Sequence, residues 1–346
     1  MDKYETYKED LNRIKGKTIA IVYIFEGEDA PGFQHYHVWQ SDVISKWMNA
    51  VQGLYCLPLI LDVRTFVEKA IGRTLPHIDF VLNLNCGSCQ LSSMALVPAM
   101  CSFLAVPCIP CDAVSIVTGE NKRLSNLIAE GIGMNVPKEL MQSSPNGIYR
   151  PLNFGSSFGV IRGHYERGTN DNGLYQEFIP GYDITTPGLY NPLSGQIELL
   201  PTVVYLPESD DPNWFFGENE KEVKRGYTQD IHRLISPELG QQFMDMAKAL
   251  SINTFFRIDA RVSIQDVTSQ EELLHTTLTP NNTYFVEINP MPTVKQDNAY
   301  GFSYGALSEG DSFFVCMEEH TRLNRSADVH SFVLANSMIA YLRAKY

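Results

Sequence analysis

Two stretches of strand-like sequence carry side chains that could bind a metal ion next to a phosphate group. The run FFRIDARVS (255–263) contains Asp259, and the run YFVEIN (284–289) contains Glu287 and Asn289 among apolar residues. An ionised carboxylate is rarely buried without a partner, and side chains in a strand alternate between two faces. If the two strands pair, these three side chains can converge. Two carboxylates and an amide oxygen form an oxygen-only set that suits Mg²⁺ and suits zinc poorly.

Arg257 lies on the same strand face as Asp259. It could neutralise a developing oxyanion or a phosphoryl group beside the metal. An alternative interpretation is a surface hairpin whose charges face solvent, because polar residues are common on the open face of a one-sided sheet. Arg261 fits that alternative better than it fits a binding role.

A glycine-rich segment, NFGSSFG (153–159), follows Arg150 and could wrap phosphate oxygens. Glycines such as Gly155 free the backbone N–H groups, and Ser156 and Ser157 add hydroxyl donors. The segment is neither a Walker loop nor a dinucleotide fingerprint. Taken alone it is more simply a plain turn, but with a magnesium set further along the chain it predicts a nucleoside triphosphate site.

The elements that would position these residues fall into two parts. Up to about residue 115, apolar runs alternate with helical patterns, which predicts an open parallel α/β sheet with ligands at the carboxyl ends of its strands. The predicted strands are 18–25, 57–61, 78–84 and 106–109, and the predicted helices are 37–51 and 94–104.

Beyond residue 115 the pattern becomes that of an α+β unit. Amphipathic patterns predict helices at 121–131 and 237–250, and a polar stretch at 210–230 predicts a loop. Antiparallel strands are predicted at 174–179, 196–205, 254–264 and 283–288.

Composition narrows the classes of partner. The chain has 346 residues, which suits two or three subdomains, and a net charge of −13. A surface with this much negative charge does not favour binding to nucleic acid or to an anionic membrane. The sequence contains no apolar run of transmembrane length, and its polar N-terminus has no signal-peptide core. We therefore expect a cytoplasmic protein whose seven cysteines are thiols or metal ligands.

Four motifs, in order, resemble those of the ATP-grasp superfamily, and within it the D-alanine–D-alanine ligase group. Asn121–Leu124 with Gly131–Pro137 resembles that family's "DK…GIPVP" helix, and Arg150–Pro151 with Gly155–Gly159 resembles its "KP…GSSxG" loop. Gln176–Asp183 resembles its "EEFIxGxE" hinge. Arg257–Asp259 with Glu287–Asn289 resembles its "RxD…ExN" pair. The motifs span about residues 121–292, and the α/β start is compatible with the family's N-terminal domain.

The resemblance implies a role for each matching residue. ATP phosphates would bind Lys122, Arg150 and the loop of Gly155, Ser156 and Ser157, and a mobile-loop lysine, Lys221 or Lys224, would reach the γ-phosphate. The nucleoside would bind Gln176, Glu177, Ile179, Asp183 and Val286, with Asp183 on the ribose. Two Mg²⁺ ions would bind Asp259, Glu287 and Asn289. Arg257 and Ser157 would be catalytic residues. Arg257 would steady an acyl-phosphate and a tetrahedral intermediate, and Ser157 would act from the loop that closes over the phosphates.

The same resemblance implies an ATP-grasp fold and a ligase reaction through an acyl-phosphate, in a homodimer that takes small-molecule substrates. The implied domains are an N-terminal α/β domain (1–115), a central ATP-grasp subdomain (116–182) and a C-terminal subdomain with the metal site (183–346).

The sequence departs from the family where substrates would bind. The family's "HGxxGEDG" stretch is replaced by Asn85–Gln90, its early "GGxSxExxVS" loop by Glu26–His37, and its "TxPGxT" stretch by Pro290–Val294. These changes favour a different amino acid or peptide pair as the substrates, of the kind that an enzyme of specialised metabolism would use. The alternatives are a genuine D-alanine–D-alanine ligase and an ATP-binding regulator of the same fold that has lost catalysis.

The cysteines suggest one further alternative. Cys86-x₂-Cys89 and Cys108-x₂-Cys111 have the spacing of a zinc site, which a zinc-stapled interaction module would use. They are equally compatible with small apolar thiols near a substrate pocket. His35 and His37 could line the same pocket or be structural.

Overall fold

The structure is a computed structural model. It describes residues 2–25, 41–87, 91–153, 155, 157–166, 168, 173–208, 211–215, 227–265, 267–294 and 329–344. Within them, the chain forms a mixed α/β fold with one parallel and two antiparallel sheets.

The first sheet is parallel, with the strand order β2-β1-β3-β4. Its strands are β1 (Thr18–Tyr23), β2 (Leu57–Asp62), β3 (Phe80–Asn83) and β4 (Cys108–Ile109), and the helices around it are α1 (Lys3–Ile14), α2 (Ser41–Gly53), α3 (Val63–Ile71), α4 (Leu91–Met94) and α5 (Leu96–Leu104). Ile19 and Ile21 of β1 face the core that α1 and α2 share, whereas Ala20 and Val22 face α3 and α5. Burial on both faces explains why β1 is continuously apolar.

The second sheet is antiparallel and has three strands in the order β6-β5-β7. They are β5 (Gly147–Pro151), β6 (Ile161–Arg162) and β7 (Gly173–Glu177), and they follow helices α6 (Ala113–Glu120) and α7 (Lys122–Gly131). Asn121 ends α6 and caps α7, because its side chain accepts hydrogen bonds from the N–H groups of Arg123 and Leu124. The cap fixes where α7 begins.

The third sheet has six strands, ordered β11-β10-β8-β12-β13 with β9 also paired to β8. The strands are β8 (Gly181–Asn191), β9 (Gln196–Leu199), β10 (Val203–Leu206), β11 (Tyr227–Asp230), β12 (Phe255–Ser263) and β13 (Thr283–Asn289), and helices α8 (Pro237–Ala249) and α9 (Gln270–Leu273) accompany them. Phe243 and Met246 of α8 pack with Phe256 and Ile258 of β12 in one buried core.

The last helix, α10 (Val329–Ala344), contacts α1, α2 and β8. Its buried face shares a core with Trp47 of α2 and Leu189 of β8. The end of the described chain therefore packs between the parallel sheet and the six-stranded sheet. No helix of the described residues is long and apolar enough to cross a membrane.

The predicted elements agree with this fold apart from four differences. The last four residues of the predicted loop 210–230 form a strand, β11. The predicted strand 196–205 is two strands, β9 and β10, separated at Leu200–Thr202. The predicted helix 94–104 is preceded by a separate short turn of helix, α4. The longest strand, β8, was not predicted, because its sequence GYDITTPGLYN carries two glycines and a proline, which usually mark turns.

Candidate active site

The candidate metal ligands lie on the two paired strands β12 and β13. Asp259 is opposite Glu287 and Arg257 is opposite Asn289, and opposite residues of an antiparallel pair project from the same face. The predicted pairing is thus confirmed. The register then passes to Ala260 opposite Phe285, which leaves Val286 as an extra residue in a β-bulge.

Asp259 is the centre of a hydrogen-bond network. Its two carboxylate oxygens accept from Arg257, with Nη2 at 2.7 Å and Nε at 2.9 Å, and Asn289 Nδ2 donates to Oδ2 at 2.9 Å. The hydroxyl of Thr185, on the neighbouring β8, also donates to Oδ1. Burial works against a charged guanidinium, but the ion pair with Asp259 outweighs it and raises the pKa of Arg257. Asn289 uses its side-chain nitrogen for this hydrogen bond. The oxygen of the same amide, Oδ1, is therefore the atom that could bind a cation.

Lys122 approaches the same site from the first turn of α7. Its side chain is buried, and its Nζ lies 3.4 Å from Glu287 Oε2. Its backbone N–H donates to the Leu152 carbonyl at 3.1 Å, which joins the start of α7 to the end of β5. One helix start thus connects the glycine-rich segment with the carboxylate pair.

Arg150, on β5, connects the second sheet with the third. Its Nη1 donates to the carbonyl of bulged Val286 at 3.0 Å, and its Nη2 donates to Gln176 Oε1 at 2.7 Å. Burial lowers the pKa of this guanidinium, and the charge of Glu287 partly offsets that effect. Gln176 also donates to the Pro137 carbonyl at 2.6 Å, so its side chain is held between Arg150 and the chain after α7.

The predicted adenine hinge lies between β7 and β8. The Glu177 carboxylate accepts from the Lys138 N–H at 3.0 Å, and Ile179 is buried. Asp183, predicted on the ribose, forms an ion pair with Arg261 at 2.6 Å.

The prediction that Arg261 is a solvent-facing charge was wrong. Arg261 is only 4% exposed. It donates to the carbonyls of Ile179, Gly181 and Trp214 as well as to Asp183. The strand face that was expected to be open is covered by the hinge, whose carbonyls match the several donors of a guanidinium.

The glycine-rich segment is described only in part. Gly155 accepts a hydrogen bond from the Phe158 N–H at 3.2 Å, and Ser157 accepts one from the Val160 N–H at 3.2 Å. Ser157 has a φ of +62° and Gly159 a φ of +69°, in the left-handed region. The chain therefore turns twice in succession. Ser156 lies outside the described residues.

Glu120 is a residue that the sequence reasoning missed. It is the last residue of α6, two residues before Lys122. Burial raises the pKa of its carboxyl group to about 7, with Lys122 opposing and Glu287 adding to the rise. Glu120 directly precedes the Asn121-Lys122 motif. Its position next to that motif was the signal from which the sequence could have predicted it as a site residue.

Tyr205 and Thr185 were also missed. Tyr205, on β10, interacts electrostatically with Arg257 and Asp259, and burial raises its pKa to about 12. Thr185 lies on β8, and since β8 was not predicted, no pattern could place its hydroxyl beside Asp259.

The cysteines do not form a zinc site within the described residues. Among those residues, no group of three or more His, Cys, Asp and Glu side chains could hold one metal ion. Cys108 packs with Cys101 on the α5 side of the parallel sheet, whereas Cys111 packs with Met94 and Met291 and lies next to Cys86. Cys89, His35, His37, Lys221 and Lys224 lie outside the described residues.

The fold as a whole is the ATP-grasp fold of the D-alanine–D-alanine ligases. D-alanine–D-alanine ligase from Bacillus anthracis, in a complex with ATP, matches with a TM-score of 0.59 and 14% identity over 95% of this chain and 99% of that chain. VanG D-Ala:D-Ser ligase from Enterococcus faecalis matches with a TM-score of 0.58 and 15% identity over 88% and 98%. No protein-family model and no curated protein sequence matches the chain. The predicted fold class and structural resemblance are confirmed.

Proposed function

We propose that the protein is an ATP-dependent carboxylate–amine ligase that joins two amino acids, or an amino acid and a peptide or amine, through an acyl-phosphate. One observation carries the proposal. Within a fold shared with ATP-dependent ligases, Asp259, Glu287 and Asn289 lie together on the paired strands β12 and β13, beside Arg257 and Lys122.

The residues present fit magnesium and ATP. The three candidate ligands offer only oxygen atoms to a metal, and an oxygen-only set of this kind would hold Mg²⁺ beside phosphate groups. Cationic nitrogens already lie against both carboxylates, with Arg257 on Asp259 and Lys122 on Glu287. Sites that attract two cationic side chains would also attract divalent ions. When bound, Mg²⁺ would supply charge neutralisation on the β- and γ-phosphates.

The other predicted roles become part of this proposal. Lys122, Arg150 and the loop around Ser157 would hold the phosphates, together with Lys221 or Lys224. The backbone at Glu177 and Ile179, with Gln176, Asp183 and Val286, would hold the nucleoside. Arg150 and Gln176 already bond to each other, and the guanidinium has further N–H donors that could contact phosphate.

The reaction would have two steps. A substrate carboxylate oxygen attacks the γ-phosphorus and ADP leaves, which gives an acyl-phosphate. The amine nitrogen then attacks the acyl carbon, inorganic phosphate leaves, and the nitrogen loses a proton. Arg257 would stabilise the oxyanion that forms at the acyl carbon, because its guanidinium is fixed in advance by Asp259.

The substrates would be small molecules bound beyond the carboxyl ends of β1 and β3, where this sequence departs from the D-alanine ligases. There the Asn83 and Asn85 amides organise the chain up to Gly87. We propose a substrate pair other than two D-alanines. A cytoplasmic homodimer remains a prediction from the resemblance.

Phosphate release from Mg·ATP across single and paired D- and L-amino acids tests the proposal, with mass spectrometry of the products. The expected result is release with a particular pair and a product lighter than their sum by one water. An Asp259→Ala, Glu287→Ala double variant should lose this activity, whereas Glu130→Ala, which removes an exposed carboxylate of α7, should keep it. Equal turnover by the double variant would refute ligation at this site. Release only with D-alanine would identify a genuine D-alanine–D-alanine ligase, and ATP binding with no turnover for any pair would favour the regulator.

A further inference from the structure

Glu120 is held at the site by a close backbone contact. The preceding residue, Gly119, packs against Pro290, since a Cβ added to Gly119 would lie 3.0 Å from the proline Cγ. Pro290 directly follows Asn289 of β13. The contact therefore places the end of α6, and Glu120 with it, beside the candidate metal ligands and ahead of Lys122.

The Glu120 carboxylate has no direct partner among the described residues, to which it makes neither a hydrogen bond nor an ion pair. The cations that interact with it electrostatically are Lys122 and Arg257. Lys122 is paired with Glu287, however, and Arg257 is paired with Asp259. Arg150 also interacts with Glu287, but its guanidinium donates to Val286 and Gln176. None of these three cations therefore bonds directly to Glu120 within the described residues.

A partly buried carboxylate without a partner is costly, and it also lies in the last turn of α6, at the negative end of that helix. The position is therefore unfavourable for a charged carboxylate, and a bound ligand of suitable chemistry would offset that cost. Such a ligand must carry positive charge or several hydrogen-bond donors.

A metal ion shared with the other two carboxylates does not meet this need. No three carboxylates, histidines or cysteines of the described chain come close enough to hold one ion. Of the groups that a carboxylate–amine ligase assembles, ATP and the donor carboxylate are anionic. The cationic groups of the substrates are their ammonium groups. The acceptor's is the one whose nitrogen must be brought to the acyl carbon beside Arg257, with which Glu120 interacts.

We propose that Glu120 binds the ammonium group of the acceptor substrate and holds it next to the acyl carbon that Arg257 faces, where the ammonium gives up one proton before its nitrogen attacks. The inference rests on the proposed function. It assigns the acceptor to the class of primary ammonium compounds, such as amino acids and peptides with a free N-terminus, rather than to neutral amines.

Hydroxylamine separates this role from a structural one. It is uncharged at neutral pH and traps acyl-phosphates as hydroxamates, so it reports the first step without an ammonium group. The parent, Glu120→Gln and the matched control Glu130→Gln would each be assayed with Mg·ATP and the donor carboxylate. One assay contains hydroxylamine, and the other contains the amino acid that supports phosphate release in the parent. Thermal unfolding of each variant checks that it is folded.

In Glu120→Gln, the KM for the amino acid should rise by roughly tenfold to a hundredfold, the range for loss of a hydrogen bond to a charged group. The fold decrease in hydroxamate formation should be at least ten times smaller than the fold decrease in amide formation with the amino acid. Glu130→Gln should match the parent in both assays. Equal losses in the two assays of Glu120→Gln, or an unchanged KM, would overturn the assignment. If the parent itself formed no hydroxamate from any carboxylate, the proposed function would fail, and this inference with it.

Discussion

Arg257 and Asp259 act as a pair, two residues apart on one strand. The guanidinium reaches the carboxylate through both Nε and Nη2, so its plane and direction are fixed before any substrate binds. A fixed donor is worth most where charge develops during the reaction.

Arg257→Lys should therefore affect the chemical step more than nucleotide binding. Lysine keeps the charge but cannot make the two-pronged contact, and we expect kcat to fall by about 10²–10³ while the Kd for ATP changes by less than about tenfold. Steady-state kinetics and calorimetric titration measure the two quantities. Arg123→Lys, in the exposed pair with Glu139, is the matched control. A loss of ATP affinity as large as the loss of kcat would assign Arg257 to ground-state binding instead.

Glu120 provides a prediction about pH and stability. In the unfolded chain its carboxyl group loses its proton near pH 4.5, whereas burial raises the pKa in the folded protein to about 7. Between these values the folded state binds more protons, so the contribution of Glu120 to stability falls as the pH rises. The groups that interact with it are Lys122, Glu287 and Arg257.

Glu120→Gln should thus stabilise the ligand-free protein at pH 8, by up to about 3 kcal/mol, and have a smaller effect at pH 5. Denaturant unfolding at the two pH values, with EDTA present, measures the difference. Glu130→Gln controls for loss of an ordinary surface carboxylate. An equal effect of Glu120→Gln at both pH values would contradict the raised pKa.

At the scale of elements, β8 and β12 form the centre of the six-stranded sheet, and the pair must close tightly at the hinge. Gly181 opens β8 with a φ of +151°, and a Cβ at this position would lie 1.8 Å from the Val262 carbonyl oxygen. No side chain fits there without moving a backbone strand.

Gly181→Ala should cost roughly 3 kcal/mol or more of unfolding free energy and disturb the hinge that Arg261 holds. Gly131→Ala is the matched control, because an added Cβ there meets nothing within 4 Å. Thermal and denaturant unfolding would distinguish the two variants. A Gly181→Ala protein as stable as the parent would mean that β8 and β12 can separate at this point.

The elements whose apolar residues follow one clear periodicity could be predicted from the sequence. Prediction failed for elements and side chains whose positions are determined by tertiary contacts. β1 and β12 follow from their apolar patterns, and the convergence of Asp259 and Glu287 follows from strand alternation. β8 could not be predicted, since its glycines are required by close packing, such as Gly188 beneath the ring of Phe256, rather than by a turn. The burial of Arg261, and the lack of a direct partner for Glu120 within the described residues, depend on distant segments of the chain, and local sequence does not contain that information.

At the scale of the whole molecule, the last helix contacts elements that lie far apart in the sequence. The chain order assigns α10 to the predicted C-terminal subdomain, yet α10 lies against α1 and α2 of the N-terminal part as well as β8. Arg343 of α10 also pairs with Asp10 of α1 at 2.6 Å. The parallel sheet and the six-stranded sheet are therefore joined by a helix whose apolar residues belong to both.

Truncation of one buried side chain in α10 should consequently lower the stability of both sheets together. Leu334 is fully buried in the shared core, so Leu334→Ala should lower the unfolding free energy by about 2–5 kcal/mol, whereas Leu127→Ala, at a leucine of α7 that is 59% exposed, should cost less than about 1 kcal/mol. Denaturant unfolding would be followed by tryptophan fluorescence, to which buried Trp47 of α2 contributes, and by far-UV circular dichroism. Because α10 contacts both sheets, the two spectroscopic transitions should shift by the same amount and stay superimposed. Separation of the transitions in Leu334→Ala would show that α10 stabilises the N-terminal part alone, and that the two sheets unfold as independent units.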